Sequence, residues 1–137
     1  MNRKELIDHA FSAMKNSYAP YSNYHVGASV ACKDGRVFYG ANIENASYGA
    51  TNCAERSAMF SAYSNGIRKD DIEAIAIVSD GDTIATPCGI CRQVMAELLN
   101  PDTPVFMSNG TLNLDSTVKD LLPFAFTQED LKCEADL

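Results

Sequence analysis

Long apolar stretches are missing from this sequence, as are repeats, low-complexity tracts and linkers. No apolar run approaches the ~20 residues that a helix needs to span a bilayer. The opening MNRKELIDHAF mixes charged and apolar residues and lacks the apolar block of a signal peptide. We therefore expect a cytoplasmic protein with no membrane partner. A chain of this length fits a single domain over residues 1–137, in which residues 127–137 form a polar tail.

Positive charge is also scarce. The chain has 11 lysines and arginines against 18 aspartates and glutamates, which gives a net charge of −7 at pH 7. Such a surface repels phosphate backbones, so nucleic acid is a poor candidate partner and nucleic-acid editing a poor hypothesis. A small neutral substrate would not be repelled.

The cysteine count excludes a complete set of disulfides, because five thiols cannot all pair within one chain. A reducing cytosol disfavours disulfides in any case. Buried small hydrophobes, a redox pair or a metal site remain as explanations. Cys32 ends a predicted strand and Cys133 lies in the polar tail, so we expect neither to carry chemistry.

Hydrophobic spacing predicts the element order helix, hairpin, helix, strand, helix, strand. The alternation after the hairpin implies parallel crossovers, so we expect an α/β fold: a mixed sheet of about five strands between two helical layers. Residues 72–79 are rich in Ile, Ala and Val, which indicates a central strand covered on both faces. The predicted elements are a helix capped by Asn2, a hairpin of strands 26–32 and 36–43, helices 53–66 and 88–99, strands 72–79 and 104–109, a candidate further strand in 110–116, and a short helix with an aromatic segment in 118–126.

Three of the cysteines have the spacing of metal ligands. Cys53 begins one predicted helix, and Cys88 and Cys91 begin another. Positions i and i+3 share a helix face, and Pro87 suits the entry to a helix. Thiolates at helix N-termini are stabilised by the helix dipole. Three thiolates on a tetrahedral Zn²⁺ leave one position open for water, which is typical of catalytic sites.

Glu55 and Arg56 follow directly in the same helix. Glu55 need not be a ligand, and its carboxylate can take a proton from the bound water and pass it on. Three thiolates give the zinc centre a net charge of −1, and Arg56 is placed to offset this by donating hydrogen bonds to the sulfurs.

Other interpretations of these cysteines stay open at this point. Cys88 and Cys91 could form a redox pair, although no thioredoxin-like context surrounds them. The zinc could instead be structural, in a module that only binds or scaffolds, if a fourth protein ligand completes it. A scaffold, however, has no need for the Glu55 carboxylate. The candidate fourth ligands are Cys32, His25, His9 and Cys133.

The segments CAE and PCGIC match the zinc-deaminase pattern in its all-cysteine variant. Together with PYSNYHVGASV, GANIENASYG, CAERSA, TPCGICRQVMAEL and LLPFAF, they make the chain from Tyr18 to Phe126 resemble the cytidine deaminase family in its small homotetrameric form. The resemblance implies a cytidine deaminase-like fold, one zinc per chain, and hydrolysis of cytidine or deoxycytidine to uridine or deoxyuridine plus ammonia.

The resemblance also implies roles for individual residues. Tyr24 takes the place where the family usually has a phenylalanine against the pyrimidine, so the aromatic face is retained. Asn42 and Glu44 match the pair that holds the ribose hydroxyls, and an amide with a carboxylate suits that task. The remaining matches are Cys53, Cys88 and Cys91 as zinc ligands, Glu55 as proton shuttle, Ala54 as a substrate contact, and Ala46, Tyr48 and Phe126 as residues lent to a neighbouring subunit's site.

A related deaminase for a modified cytosine compound, such as blasticidin, would share the zinc motifs. The complete NIENASYG segment favours a plain ribose over that alternative. The sequence leaves the choice between cytidine and deoxycytidine open.

Overall fold

The structure is a computed structural model that describes residues 1–131. It confirms the predicted order of elements, including the candidate further strand near the C-terminus. Of three short 3-10 helices, Tyr48–Ala50 and Lys69–Asp71 lie in connections between the main elements, and Gln128–Leu131 follows the last of them. The main elements are α1 (Arg3–Met14), β1 (Val26–Cys32), β2 (Val37–Ala41), α2 (Ala54–Ser64), β3 (Ile72–Ser79), α3 (Gly89–Leu98), β4 (Pro104–Ser108), β5 (Asn113–Thr117) and α4 (Val118–Leu121).

The five strands form one mixed sheet in the order β2-β1-β3-β4-β5. The hairpin strand β1 pairs antiparallel with both β2 and β3. Helix α3 connects β3 to β4, and these two strands pair parallel. Strand β4 pairs antiparallel with β5. The predicted mixed sheet of about five strands is therefore confirmed.

Two apolar clusters cover the two faces of the sheet. Successive residues of β3 point to opposite faces, so Ala76 and Val78 meet α1 while Ile75 and Ile77 meet α2 and α3. This explains why β3 is apolar along nearly its whole length, and it confirms the three-layer arrangement. The helix residues in these clusters are Leu6, Ile7 and Ala10 on one side and Ala54, Ala58, Met59, Ala62 and Met95 on the other.

Two glycines let helices lie unusually close to the sheet. A Cβ atom on Gly40 in β2 would lie 2.3 Å from the Ala54 carbonyl oxygen and 2.4 Å from the Ala58 nitrogen of α2. A Cβ atom on Gly27 in β1 would lie 2.1 Å from the Ala10 carbonyl oxygen of α1. The first of these contacts sets the position of α2, the helix that begins just after Cys53.

The ends of several elements have specific local geometry. Asn2 caps α1, because its side-chain oxygen accepts a hydrogen bond from the Glu5 N–H at 2.8 Å. The Glu5 carboxylate in turn accepts from the Asn2 side-chain amide and not from the Asn2 backbone N–H. The aromatic segment is not extended, because Phe124 has a φ of 56°. The tail begins with a 3-10 helix, and Cys133 lies outside the described residues. Among residues 1–131 no helix is long and apolar enough to cross a bilayer.

Candidate active site

The three predicted ligands come together at the N-termini of two helices. Cys53 is the N-cap of α2 and Cys88 is the N-cap of α3, while Cys91 lies in the first turn of α3. Their sulfur atoms all lie within 4.8 Å of one another. The Sγ atoms of Cys53 and Cys88 are 3.9 Å apart. Residues 35 positions apart in sequence thus form one thiol cluster.

Polar groups around the cluster favour thiolates. The Arg56 guanidinium donates from Nη2 to the Cys53 sulfur at 3.2 Å, and the Cys91 N–H donates to the Cys88 sulfur at 3.4 Å. The hydrogen bond with Cys91 is the main cause that lowers the pKa of Cys53 to about 5, and the Arg56 guanidinium contributes to the same shift. The same hydrogen bond, together with burial, raises the pKa of Cys91. The hydrogen bond to Cys53 likewise raises the pKa of Arg56.

The cluster fits a zinc ion. Tetrahedral Zn²⁺ with Zn–S bonds of about 2.3 Å requires sulfur atoms about 3.8 Å apart, close to the 3.9 Å between Cys53 and Cys88. Thiolates are the soft ligands that zinc accepts. Binding of a divalent cation would also release the protons of the thiols that ligate it. Cys53, Cys88 and Cys91 are therefore the residues that would hold the metal.

Among residues 1–131, no fourth protein ligand joins the cluster. In the described part of the chain, one cluster of three or more His, Cys, Asp or Glu side chains could hold a metal, and it consists of Cys53, Cys88 and Cys91. All four described cysteines are free thiols. The alternative ligands within residues 1–131 lie elsewhere: Cys32 is buried in the core, His25 bonds Asp80, and His9 bonds Tyr39.

Glu55 occupies the second position of α2 and is only 5% exposed. Burial is the main cause that raises the pKa of its carboxyl group to about 7, and the negative charge of the nearby Cys53 thiolate adds to this. A carboxyl group poised near neutral pH can both accept and release a proton. Glu55 therefore has the properties of a general acid and base beside the thiol cluster.

A cavity of about 340 Å³ opens onto this cluster. It brings together the predicted Tyr24, Asn42, Glu44 and Ala54 with Cys53, Cys88 and Glu55. Its remaining lining residues are Ser22, Val26, Thr51, Asn52, Ala85 and Thr86. Ala46, Tyr48 and Phe126 do not line it.

Asn42 and Glu44 both bind the segment between α1 and β1. The Asn42 side chain donates to the Tyr24 carbonyl at 2.8 Å and accepts from the Val26 N–H at 2.9 Å. The Glu44 carboxylate accepts from the backbone N–H of Ser22 at 3.1 Å and also from the Ser22 hydroxyl. The Ser22 hydroxyl lowers the pKa of Glu44, which keeps the carboxylate ionised as an acceptor.

Sequence reasoning missed Ser22 and Gly81. Ser22 stands in the quoted SNY stretch, where its only signal was that of a loop residue near an aromatic. Gly81 lies in the SDGD turn after β3, and a Cβ atom there would come within 2.8 Å of the Tyr24 ring. No local pattern links Tyr24 and Gly81, because the contact depends on how β1 and β3 pair.

Fold and site together define a zinc-dependent hydrolytic enzyme with a three-layer α/β/α fold. The model of the family described as cytidine and deoxycytidylate deaminase zinc-binding region matches residues 1–107. A cytidine deaminase of Halalkalibacterium halodurans is 54% identical over 132 residues, which cover 96% of this chain and 98% of that protein. The crystal structure of a cytidine deaminase from Burkholderia pseudomallei matches with a TM-score of 0.88 at 46% identity, over 92% of this chain and all of that one. The chain belongs to the cytidine deaminase family.

A blasticidin-S deaminase of Bacillus cereus is a less similar relative. It is 31% identical over 132 residues, which cover 90% of this chain and 91% of that protein. The higher identity to cytidine deaminases agrees with the expectation of a plain nucleoside substrate.

Proposed function

We propose that the protein hydrolyses cytidine and deoxycytidine to uridine and deoxyuridine with release of ammonia. The observation that carries this proposal is the buried Glu55 beside three thiols, in a cavity that also holds Tyr24 and Glu44. Cys53, Cys88 and Cys91 would hold one zinc per chain. Zinc in such a site lowers the pKa of water and so supplies a nucleophile at neutral pH.

Glu55 moves the protons of the reaction. Its carboxylate takes one proton from the attacking water and delivers it to ring N3, while the C4–O bond forms and the C4–N3 π pair moves to N3. It then carries the second water proton from the C4 hydroxyl to the exocyclic amino group. The O–H electron pair becomes the C4=O π bond, and the bond from C4 to the amino nitrogen breaks with its electron pair leaving on ammonia. One water proton stays on N3 of the product and the other leaves in ammonia, so the step is balanced. A carboxyl pKa of about 7 supports both transfers.

The other cavity residues orient the nucleoside. The Tyr24 ring offers an aromatic face to the pyrimidine, and the Asn42 amide and Glu44 carboxylate offer a donor and acceptors to the ribose hydroxyls. Ala54, at the start of α2, contacts the base beside Glu55. Arg56 balances the thiolate charge through its hydrogen bond to Cys53.

A homotetramer with shared sites is the second part of the proposal. Ala46, Tyr48 and Phe126 lie outside the lining of their own chain's cavity, and Tyr48 and Phe126 are 78% and 58% exposed. Exposed aromatic side chains are typical of interfaces. We propose that these three residues complete a neighbouring subunit's site. The free thiols support a reducing, cytoplasmic location.

A substrate panel followed by ultraviolet absorbance tests the function. The panel contains cytosine, cytidine, deoxycytidine, CMP and blasticidin, with Glu55→Gln protein as the control for contaminating deaminase. We expect turnover of cytidine and deoxycytidine and little of free cytosine, which lacks the ribose that Glu44 binds. CMP should react poorly because the net negative charge of the protein repels its phosphate. Preference for blasticidin, or no turnover by zinc-loaded protein, would contradict the proposal.

A further inference from the structure

The strands β1 and β3 bring Tyr24 and Gly81 face to face beyond their ends. The antiparallel register pairs Val26 with Ser79 at the last rung of the ladder. Continued by two residues, the same register places His25 opposite Asp80 and Tyr24 opposite Gly81. Directly opposed residues of an antiparallel pair lie close enough for their side chains to touch.

The contact between Gly81 and Tyr24 is tight. A Cβ atom on Gly81 would lie 2.8 Å from Cε1 of the Tyr24 ring and 3.7 Å from both Cδ1 and Cζ. An atom above Cε1 would lie closer than 3.7 Å to the two flanking atoms, so the Cβ atom would lie in the plane of the ring, outside its edge, and Gly81 leaves the ring faces uncovered. Because Gly81 has no side chain, the Tyr24 ring occupies the space that the Cβ atom of any other residue at position 81 would fill.

The turn that carries Gly81 is held firmly. Asp80 accepts from the His25 N–H at 3.0 Å, and its other carboxylate oxygen bonds His25 Nδ1 at 2.7 Å. The Asp80 N–H in turn donates to the His25 carbonyl at 3.2 Å. The Asn109 side-chain amide donates to the Gly81 carbonyl at 3.1 Å. The turn therefore cannot move away from the ring without breaking several hydrogen bonds.

The backbone of Tyr24 is held equally firmly. Its N–H donates to the Ser22 hydroxyl oxygen at 3.0 Å, and its carbonyl accepts from the Asn42 side chain at 2.8 Å. The hydroxyl has no hydrogen-bond partner within residues 1–131, so the ring itself is positioned by packing alone. A larger residue at position 81 would have to rotate the ring about its side-chain bonds.

We infer that Gly81, held by Asp80 and Asn109, is a positioning residue that sets the Tyr24 ring against the base. This rests on the proposed function, since it assumes that Tyr24 contacts the pyrimidine. The consequence is a change in nucleoside binding rather than in chemistry, because the thiol cluster and Glu55 are untouched. The site for the base is thus shaped in part by a turn that does not line the cavity.

The test is a double-mutant cycle with Gly81→Ala and Tyr24→Ala. We expect Gly81→Ala to raise KM for cytidine and Kd for uridine by about tenfold, the loss typical of a weakened base–aromatic contact. The kcat and the zinc content should stay within about twofold of the parent protein. In the Tyr24→Ala background, Gly81→Ala should change KM and Kd by less than about twofold, because no ring is left to displace.

Asn109→Asp provides a second, milder variant should Gly81→Ala fail to fold. It keeps the side-chain oxygen that accepts from the Thr111 and Leu112 N–H groups but removes the donor to the Gly81 carbonyl. The same rise in KM, again abolished by Tyr24→Ala, is expected.

The outcomes separate this inference from the proposed function. An unchanged KM in folded Gly81→Ala protein overturns the inference, and so does an equal rise with and without the Tyr24 ring. If Tyr24→Ala alone leaves KM and Kd unchanged, the assignment of Tyr24 to the base fails and the inference falls with it. A parent protein that does not deaminate cytidine contradicts the proposed function itself.

Discussion

At the residue scale, the Glu55 carboxyl group is the one that the proposed reaction cannot do without. Glu55→Gln keeps the size of the buried side chain, so the fold and zinc content should persist. An amide cannot shuttle protons, so we expect kcat to fall by about a hundredfold to ten-thousandfold. Steady-state kinetics on protein of verified zinc content measures this. Deamination of cytidine at the parental rate would show that another group moves the protons.

Arg56 should affect the metal more than the fold. Arg56→Ala removes the donor to the Cys53 sulfur and leaves three thiolates less compensated. The loss of such a supporting contact typically weakens metal binding by about tenfold to a hundredfold. Competition with a zinc chelator measures this affinity.

Arg36→Ala is a matched control for Arg56→Ala, since Arg36 lies in the hairpin turn and pairs there with Asp34. We expect Arg36→Ala to retain zinc as the parent does. If both variants retain zinc equally well, Arg56 does not support the metal site.

At the element scale, the position of α2 depends on Gly40. An alanine there would press on the Ala54 carbonyl in the first turn of α2, directly after Cys53. Overpacking of this kind typically costs about 1–3 kcal/mol in the free energy of unfolding. We expect Gly40→Ala to lower both stability and zinc affinity, measured by thermal unfolding and by chelator competition.

Gly27 offers a comparison on the other face of the sheet. An alanine at Gly27 would clash with the backbone of α1 at Ala10 and Met14, far along the chain from the thiols. Gly27→Ala should therefore lower stability while zinc affinity, measured where the protein is still folded, stays near the parental value. If both variants lose zinc affinity alike, the effect reflects general unfolding rather than displacement of α2.

The sequence predicted the elements whose pattern is set by their own residues. The apolar run of β3 and the spacing in α1 are local, and both helices of the thiol cluster begin within a residue of the prediction. Strand β5 was only weakly indicated, because its exposed residues become a strand by pairing with β4. The left-handed backbone conformation of Phe124 could not be predicted, because no glycine in the sequence marks that position.

The same distinction applies within the site. Cys53, Glu55 and Arg56 were found because one helix turn holds all three, so their spacing in sequence is their spacing in space. The contact of Gly81 with Tyr24 spans the sheet and follows from the register of β1 with β3. Contacts of that kind require the structure, since a shift of register would change every partner.

At the scale of the whole molecule, one chain leaves large aromatic side chains in solvent. Phe124 is fully exposed, and Phe126, whose carbonyl accepts from the Gln93 side chain, is 58% exposed. The two rings are separated by a backbone that is not extended, so both can take part in an interface. Phe126→Ala should raise KM for cytidine by about tenfold through loss of an aromatic contact on the base. Phe124→Ala, at matched tetramer content, should raise it less.

The sharing of sites between subunits can be tested directly by mixing two inactive or weakened proteins. A Phe126→Ala chain keeps Glu55, and a Glu55→Gln chain keeps Phe126. If Phe126 acts in the neighbouring subunit, mixed tetramers contain sites with Glu55 from one chain and Phe126 from the other. Dissociating and reassembling the mixture should then restore parental KM to part of the sites. If Phe126 acts within its own chain, every Glu55 site in the mixture lacks the ring, and KM stays at the Phe126→Ala value.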